Sequence, residues 1–222
     1  ILNLNFCKQL HSLGEFDRLP ALERLIVRNC IGLVEVCESI EQCAELVFID
    51  LSYCKKLERL PRNIGMLKNV KTMLLDGCSL GESRIQIRDT DSLELCKANK
   101  IDINTRTSSP AFVGAIPSDL KLFSVYLPRS LVSLSLANNN LSTESFPMDF
   151  SSLIMLRHLY LDGNPIDSMP SCVRSLRRLE ILSLSNCEML TSVEHPPHTL
   201  KELIIHFDSM HLLRKVVFDP EM

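Results

Sequence analysis

The sequence lacks the motifs that mark the common enzyme classes. Its 222 residues include no tryptophan and only seven glycines. The glycine-rich motifs that hold phosphates or dinucleotides, G-x-x-x-x-G-K-[ST] and G-x-G-x-x-G, do not occur. The H-E-x-x-H and G-x-S-x-G motifs of metalloproteases and serine hydrolases are absent as well. The sequence therefore predicts no catalytic residues, no cofactor and no enzyme activity.

The sequence also lacks a strong excess of either charge and any long apolar run. The chain has 24 Lys plus Arg against 27 Asp plus Glu, and no basic run of the kind that follows a phosphate backbone. No apolar run approaches the roughly 18 residues that cross a bilayer, and no secretory leader precedes the first residues. We therefore expect neither nucleic acid nor membrane as a partner. Because the chain opens on Ile1 in an apparent strand, we interpret it as a fragment of a longer protein.

The nine cysteines are odd in number and include no C-x-x-C pair. That pattern argues against a disulfide framework and against a zinc site. Scattered histidines near the C-terminal end, His195, His198, His206 and His211, are interpreted as surface residues rather than as metal ligands. No metal site is predicted.

What the sequence does contain is a repeat. The pattern L-x-x-L-x-L-x-x-C/N begins at residues 22, 46 and 70, which are 24 apart, and resumes at 131, 156 and 179. A truncated unit opens the chain at Leu2, and a weaker one begins at Leu200. Apolar residues at every second position predict a strand with one buried face. Eight strand units are therefore predicted.

The second half of the unit repeats too, with apolar residues at every third position, as in Pro61-x-x-Ile64-x-x-Leu67. This spacing favours a tight helical or extended return. One such coil cannot bury its own apolar face, so coils stack and their strands pair in parallel. The predicted fold class is α/β, a leucine-rich-repeat solenoid with a curved parallel β-sheet on its concave face and short helical or irregular convex returns.

A small polar or thiol residue follows each strand at the point where the chain turns inward. We predict that these residues form a structural ladder, because Asn bonds unpaired backbone groups and a thiol partly replaces it. The predicted ladder consists of Cys7, Cys30, Cys54, Cys78, Asn139, Asn164 and Cys187. Cys43 falls in register with the core leucine Leu67, so buried, reduced thiols are expected.

The period breaks between Val70 and Leu131. We predict one array over residues 1–222 with an irregular insertion at about 81–130, in which Leu93 to Ile101 could form one degenerate coil. The insertion is open to two interpretations. It is either a loop that binds a partner or a surface loop that the fold tolerates.

Alternate strand positions predict a concave face that binds a protein. Aromatic and apolar side chains flanked by charges are typical of interfaces, whereas an ordinary solvated sheet is the competing interpretation. We interpret the three aspartates of this face as solvated charges. The predicted surface consists of Arg24, Arg28, Phe48, Asp50, Leu74, Asp76, His158, Tyr160 and Asp162.

The run LVFIDLSYCKKLERLPRNIGMLKNV, residues 46–70, resembles the repeats of plant intracellular nucleotide-binding leucine-rich-repeat disease-resistance proteins of the Toll/interleukin-receptor class. The resemblance implies a sensor that recognises a pathogen effector or a guarded host protein. It also implies contact with the receptor's own nucleotide-binding domain, whose switch the repeats restrain. The implied location is the cytoplasm, with the nucleus as a further compartment.

Two other families share part of the pattern. Gly114-x-Ile116-Pro117 is similar to the signature of plant extracellular leucine-rich-repeat receptors, but it occurs once and outside the regular repeats. F-box substrate adaptors of ubiquitin ligases also carry cysteine in their repeats, but they lack the L-P-x-x-I-x-x-L run at Leu60 to Leu67. Both stay open as alternatives.

Overall fold

The computed structural model describes residues 1–57, 60–80, 127–147, 150–207 and 212–219. In these residues the chain forms short strands and 3-10 helices that alternate along the sequence. The strands are β1 (Leu2–Asn3), β2 (Ser12–Leu13), β3 (Arg24–Ile26), β4 (Glu35–Val36), β5 (Phe48–Asp50), β6 (Thr72–Leu74), β7 (Ser133–Ser135), β8 (His158–Tyr160), β9 (Ile181–Ser183), β10 (Ser192–Glu194), β11 (Glu202–Ile204) and β12 (Lys215–Val217). The helices are η1 (Phe16–Arg18), η2 (Glu38–Gln42), η3 (Arg62–Met66), η4 (Thr143–Ser145) and η5 (Ser171–Ser175).

Eight of these strands form one parallel sheet in the order β1-β3-β5-β6-β7-β8-β9-β11. The register aligns the buried central residue of each strand, for example Leu25 with Ile49 and Ile49 with Met73. Two further parallel pairs, β2 with β4 and β10 with β12, lie outside this sheet. The predicted leucine-rich-repeat solenoid is thus confirmed, with a strand in each of the eight predicted units.

The core is one column of apolar side chains inside the coils. Leu25, Leu51, Leu134 and Leu161 have no accessible surface, because every second strand residue points inward and the next coil covers it. Truncating such a leucine to alanine costs about 2–5 kcal/mol. The side chains between them point to the opposite, concave face.

The convex returns are 3-10 helices, and no α-helix occurs in the described ranges. η3 and η5 begin directly after Pro61 and Pro170. Because a 3-10 helix has three residues per turn, the apolar residues at every third position share one face. Ile64 and Val173 are accordingly buried against the core.

In the first seven of the eight coils, the chain turns from its strand into its return through one residue with a left-handed backbone. These residues have φ between 54° and 64°, and they are Phe6, Asn29, Tyr53, Gly77, Asn138, Gly163 and Asn186. Gly and Asn tolerate this conformation, whereas bulky side chains rarely adopt it. Phe6 and Tyr53 are the two exceptions in this row.

β6 pairs directly with β7, with Met73 opposite Leu134. The predicted insertion at about 81–130 therefore falls, along the sequence, between two strands that are neighbours in the sheet. Most of it, residues 81–126, lies outside the described residues, as does the predicted coil from Leu93 to Ile101. The insertion therefore stays a prediction.

Candidate protein-interaction surface and the ladder beneath it

The thiols that follow the strands bond the preceding coil. Cys54 Sγ donates a hydrogen bond to the carbonyl oxygen of Val27 at 3.0 Å, and Cys78 Sγ donates to Leu51 at 3.1 Å. Cys187 makes the equivalent bond to Leu161 at 3.4 Å. All three thiols are buried. Each bond goes to a carbonyl just past a strand of the preceding coil, and the carbonyls of Leu51 and Leu161 also accept from Cys54 N–H and Asn164 Nδ2.

Asparagine performs the same task more completely. Asn139 Nδ2 donates to the carbonyl oxygen of Leu75 at 2.8 Å, while its Oδ1 accepts from the backbone N–H of Cys78 at 2.8 Å. Asn164 bonds the preceding coil in the same way, through Leu136 and Asn139. An amide has both donors and acceptors, whereas a thiol supplies one weak donor.

Burial keeps the ladder thiols protonated. It raises the pKa of Cys78 to about 12, and it raises the pKa of Cys54 and of Cys187 to about 11. A thiolate would lose the hydrogen bond that the thiol donates and would carry its charge inside the apolar core. The same burial makes these thiols poor nucleophiles.

Two cysteines depart from what the repeat predicts. Cys7 is exposed, so the prediction that it belongs to the buried ladder is wrong. It follows β1, an edge strand of the described sheet. Cys172 is fully buried in η5, although its position is not among those that the repeat specifies. Cys43 is buried as its register with Leu67 predicts.

The concave face gathers most of the predicted surface residues. Arg24 and Arg28 are exposed, and Phe48, Leu74, Asp76, His158, Tyr160 and Asp162 are partly exposed. The register brings Arg24 beside Phe48. It also places His158 in the same row, three strands beyond Phe48. With about 4.8 Å between neighbouring strands, this face is one continuous surface.

Asp50 is not a solvated charge, so that interpretation is wrong for it, and the partly exposed Asp76 and Asp162 bond the next coil. Asp50 is buried at 6% exposure, and its carboxylate accepts a hydrogen bond from the backbone N–H of Ser52 at 2.9 Å. Asp162 accepts from Ser183 Oγ at 2.5 Å and from the backbone N–H of Ser185 at 2.7 Å. These carboxylates bond N–H groups just past the strand ends, where the parallel ladder stops. They support the scaffold.

Two arginines lie on aromatic rings at the N-terminal end of the face. The guanidinium carbon of Arg24 lies 4.2 Å from the centre of the Phe48 ring. That of Arg28 lies 5.3 Å from the centre of the Tyr53 ring. Both distances fall within the range of cation–π attraction. Tyr53 was not predicted as a surface residue, because it lies one position past the alternating residues, at the left-handed turn.

An ion ladder runs beside the C-terminal strands, which the sequence pattern did not indicate. Glu180 pairs with Arg157 of the preceding coil at 2.9 Å and with Lys201 of the next coil at 3.1 Å. The hydrogen bond from Lys201 is the main cause that lowers the pKa of Glu180. Exposed pairs of this kind contribute little to stability. They join successive coils by charge.

Metal binding finds no support in the described part of the chain, where no group of three or more His, Cys, Asp or Glu could hold an ion. His195 pairs with Asp219 instead. His198 and His206 are exposed, and His211 lies outside the described residues.

None of the helices within the described ranges is long and apolar enough to span a membrane.

Known proteins share this pattern. The family model described as Leucine Rich Repeat matches residues 130–153 and 155–176. Disease resistance-like protein DSC1 of Arabidopsis thaliana is 30% identical over 185 residues, 76% of this chain and 15% of that protein. TMV resistance protein N of Nicotiana glutinosa is 29% identical over 202 residues, 91% of this chain and 16% of that protein. The chain therefore spans about a sixth of the length of these relatives.

Among solved structures, the functional domain of InlJ from Listeria monocytogenes, which includes a cysteine ladder, overlaps with a TM-score of 0.42 at 13% identity. The overlap covers 88% of this chain and 42% of that one.

Proposed function

Because the chain is a leucine-rich-repeat region of the kind found in plant disease-resistance proteins, we propose that its concave sheet is the surface through which such a protein recognises another protein. The observation that carries the proposal is one face of eight paired strands on which aromatic and apolar side chains stay partly exposed. Phe48, Leu74 and Tyr160 supply apolar area, and Arg24 supplies charge beside it. Interfaces favour this mixture.

The proposed partner is a pathogen effector or a guarded host protein. A rigid, continuous sheet suits this task, since the backbone bonds and the ladder fix the positions of the side chains before the partner arrives. Preorganisation of this kind reduces the entropy lost on binding. Arg24 is held on Phe48, so its guanidinium is oriented in advance.

A second part of the proposal concerns restraint. We propose that the repeats also contact the receptor's own nucleotide-binding domain and hold its switch inactive until the partner binds. Under this arrangement the two contacts compete or are coupled, so the free energy of partner binding releases the restraint. The corresponding location is the cytoplasm, with the nucleus as a further compartment.

The alternatives predict different behaviour. An extracellular receptor region would bind its ligand outside the cell, and an F-box adaptor would deliver its partner for degradation. Buried reduced thiols suit an intracellular solenoid, so the ladder does not separate the proposed function from an F-box adaptor. The location of the full-length protein, measured with a fluorescent tag, tests the first alternative, because an extracellular receptor would lie at the cell surface. The abundance of the partner tests the second, because an F-box adaptor would lower it.

The proposed function is tested by signalling in plant cells that express the full-length protein. Phe48→Ala and Tyr160→Ala should reduce the triggered defence response at unchanged protein abundance, because each removes a contact from the concave face. Met66→Ala is the matched control, since Met66 is 69% exposed on the convex side. A response that is unchanged in both concave variants, or that is lost only in the Met66 variant, would refute the proposal.

A further inference from the structure

Six residues form a distinct area at the N-terminal end of the concave face. We call it the N-terminal patch, and it consists of Phe6, Arg24, Ile26, Arg28, Phe48 and Tyr53. It combines two cations with three aromatic rings, and Phe6 is 64% exposed. No salt bridge joins either guanidinium to a carboxylate within the described ranges. Both charges are therefore available to an outside partner.

The backbone at Tyr53 indicates that its ring serves the surface. At the other left-handed turns after the strands of the sheet, Gly or Asn occupies this position, except for Phe6. A tyrosine there is strained, because a bulky side chain disfavours a left-handed backbone. The ring recovers part of this cost by packing over Gly77, where an added Cβ would lie 2.6 Å from a Tyr53 ring carbon. Both strained aromatic residues flank Arg28, Phe6 in the preceding coil and Tyr53 in the next.

The charges along the concave face are unevenly distributed. Arg24 and Arg28 lie at the N-terminal end, whereas Asp162 and the exposed Glu202 lie towards the C-terminal end. The exposed Glu23, just before β3, and the buried Asp50 of β5 are the acidic residues next to the patch in these two coils. An anionic ligand is therefore attracted to the N-terminal patch and repelled at the opposite end.

The spacing of the arginines selects an extended ligand. Arg24 and Ile26 are alternate residues of β3, so they point to the same face, and the exposed Arg28 follows in the turn after this strand. At about 3.3 Å per extended residue, the two arginine Cα atoms lie at most roughly 13 Å apart. Two carboxylates four residues apart in an extended segment match this distance. Ile26 lies between the arginines and offers a partly exposed apolar contact for a side chain midway along that segment.

We infer that the N-terminal patch binds an extended acidic segment of a partner protein, whose two carboxylates pair with Arg24 and Arg28 while an apolar side chain contacts Ile26. This inference rests on the proposed function and names the chemistry of the partner. A protein segment fits better than a nucleic acid, because two isolated arginines on a chain of net charge −3 do not form the basic track that a phosphate backbone requires.

The test uses the 222-residue chain and three synthetic probes measured by fluorescence anisotropy. The acidic probe is a short peptide with two glutamates at the spacing of Arg24 and Arg28 and a valine midway. The neutral probe replaces both glutamates with glutamine, and the third probe is a single-stranded RNA oligonucleotide. We expect the acidic probe to bind at least about tenfold more tightly than the neutral one, since a charge-assisted hydrogen bond is worth about that factor or more.

Three variants and one control locate the contact. Arg24→Gln and Arg28→Gln should each weaken the acidic probe about tenfold, and the exposed Arg177→Gln in the turn after η5 should leave it unchanged. Tyr53→Asn should keep the melting temperature, because Asn suits the left-handed turn, and should still weaken the acidic probe several-fold through loss of the Arg28 stack. A stability loss large enough to unfold Tyr53→Asn would overturn the assignment of its ring to the surface.

Two outcomes would overturn the inference as a whole. One is equal binding of acidic and neutral probes, with defence signalling still lost in Phe48→Ala, which would leave the proposed function standing. The other is preferential binding of the RNA probe at Arg24 and Arg28, which would assign the patch to a phosphate backbone.

Discussion

The carboxylate of Asp76 accepts a hydrogen bond of 3.0 Å from the backbone N–H of Ala137, which lies 61 residues later in the sequence. The same oxygen accepts from the hydroxyl of Ser135 at 2.5 Å. One side chain thus joins β6 to β7 across the longest interval between neighbouring strands of the sheet. Asn139 adds a second link at this junction, through its bond to the Leu75 carbonyl.

We predict that Asp76→Ala weakens this junction. The substitution leaves the N–H of Ala137 and the hydroxyl of Ser135 without their acceptor, which should lower the free energy of unfolding by about 1–3 kcal/mol. Urea denaturation followed by circular dichroism measures the change. Asp17→Ala, an exposed aspartate in η1, is the control and should stay within about 0.5 kcal/mol of the original chain. Equal effects of the two substitutions would show that Asp76 is an ordinary surface charge.

The second prediction separates scaffold from surface. Leu51→Ala and Leu161→Ala should each cost about 2–5 kcal/mol, because both side chains are fully buried between coils. Phe48→Ala and Tyr160→Ala should cost less than about 1.5 kcal/mol, because their rings lie on the concave face and stay partly exposed. Thermal denaturation ranks the four variants. A Phe48 or Tyr160 variant as unstable as Leu51→Ala would place that ring in the core.

The third prediction concerns thiol reactivity. Ser39 donates a hydrogen bond to the Cys37 thiol, which lowers the pKa of this exposed cysteine, so Cys37 should be alkylated first and exposed Cys7 soon after. Cys30, Cys54, Cys78 and Cys187 are buried and should react only when the coils open. Site-resolved mass spectrometry after a short iodoacetamide pulse gives the order. Labelling of Cys54 or Cys78 at the rate of Cys37 would disprove the ladder, as would a disulfide between two ladder cysteines.

The fourth prediction follows from the raised pKa of Cys78. Its thiol has an ordinary pKa of 9.0 and a folded pKa of about 12, so above pH 9 the unfolded chain loses this proton before the folded chain does. The protonated thiol's contribution to stability is therefore complete below pH 9 and is lost as the pH rises towards 12. Cys78→Ala should destabilise the chain at pH 8, and its deficit relative to the original chain should shrink by pH 10.5. A deficit that stays constant between these pH values would contradict the raised pKa.

The sequence was most informative where a residue type follows from the period of the repeat. Leu25, Ile49 and Leu134 were predictable as core, because alternate burial and coil stacking leave those positions no other environment. The ladder positions of Cys54 and Asn139 were predictable for the same reason, since each follows its strand at a fixed offset. The return helices also followed from apolar residues at every third position, as at Ile64 and Leu67.

Features that depend on contacts between coils could not be predicted from spacing alone. The aspartates look like surface charges in the sequence, but Asp76 and Asp162 bond the next coil, which only the stacked structure brings within reach. Tyr53 was missed because the alternating pattern ends one residue before it. Its left-handed backbone is unusual because Gly or Asn occupies the same turn in most other coils, and the alternating pattern carries no sign of this.

The most direct test of the central claim, that the concave sheet is the binding surface, is photo-crosslinking from single positions of the full-length protein in plant cells. Benzoylphenylalanine would replace Phe48 or Tyr160 on the concave face, and Met66 or Ile154 among the exposed residues outside that face. A partner adduct should form from positions 48 and 160 and should decline when Arg24→Gln is added. Adducts that form only from positions 66 and 154 would contradict the account.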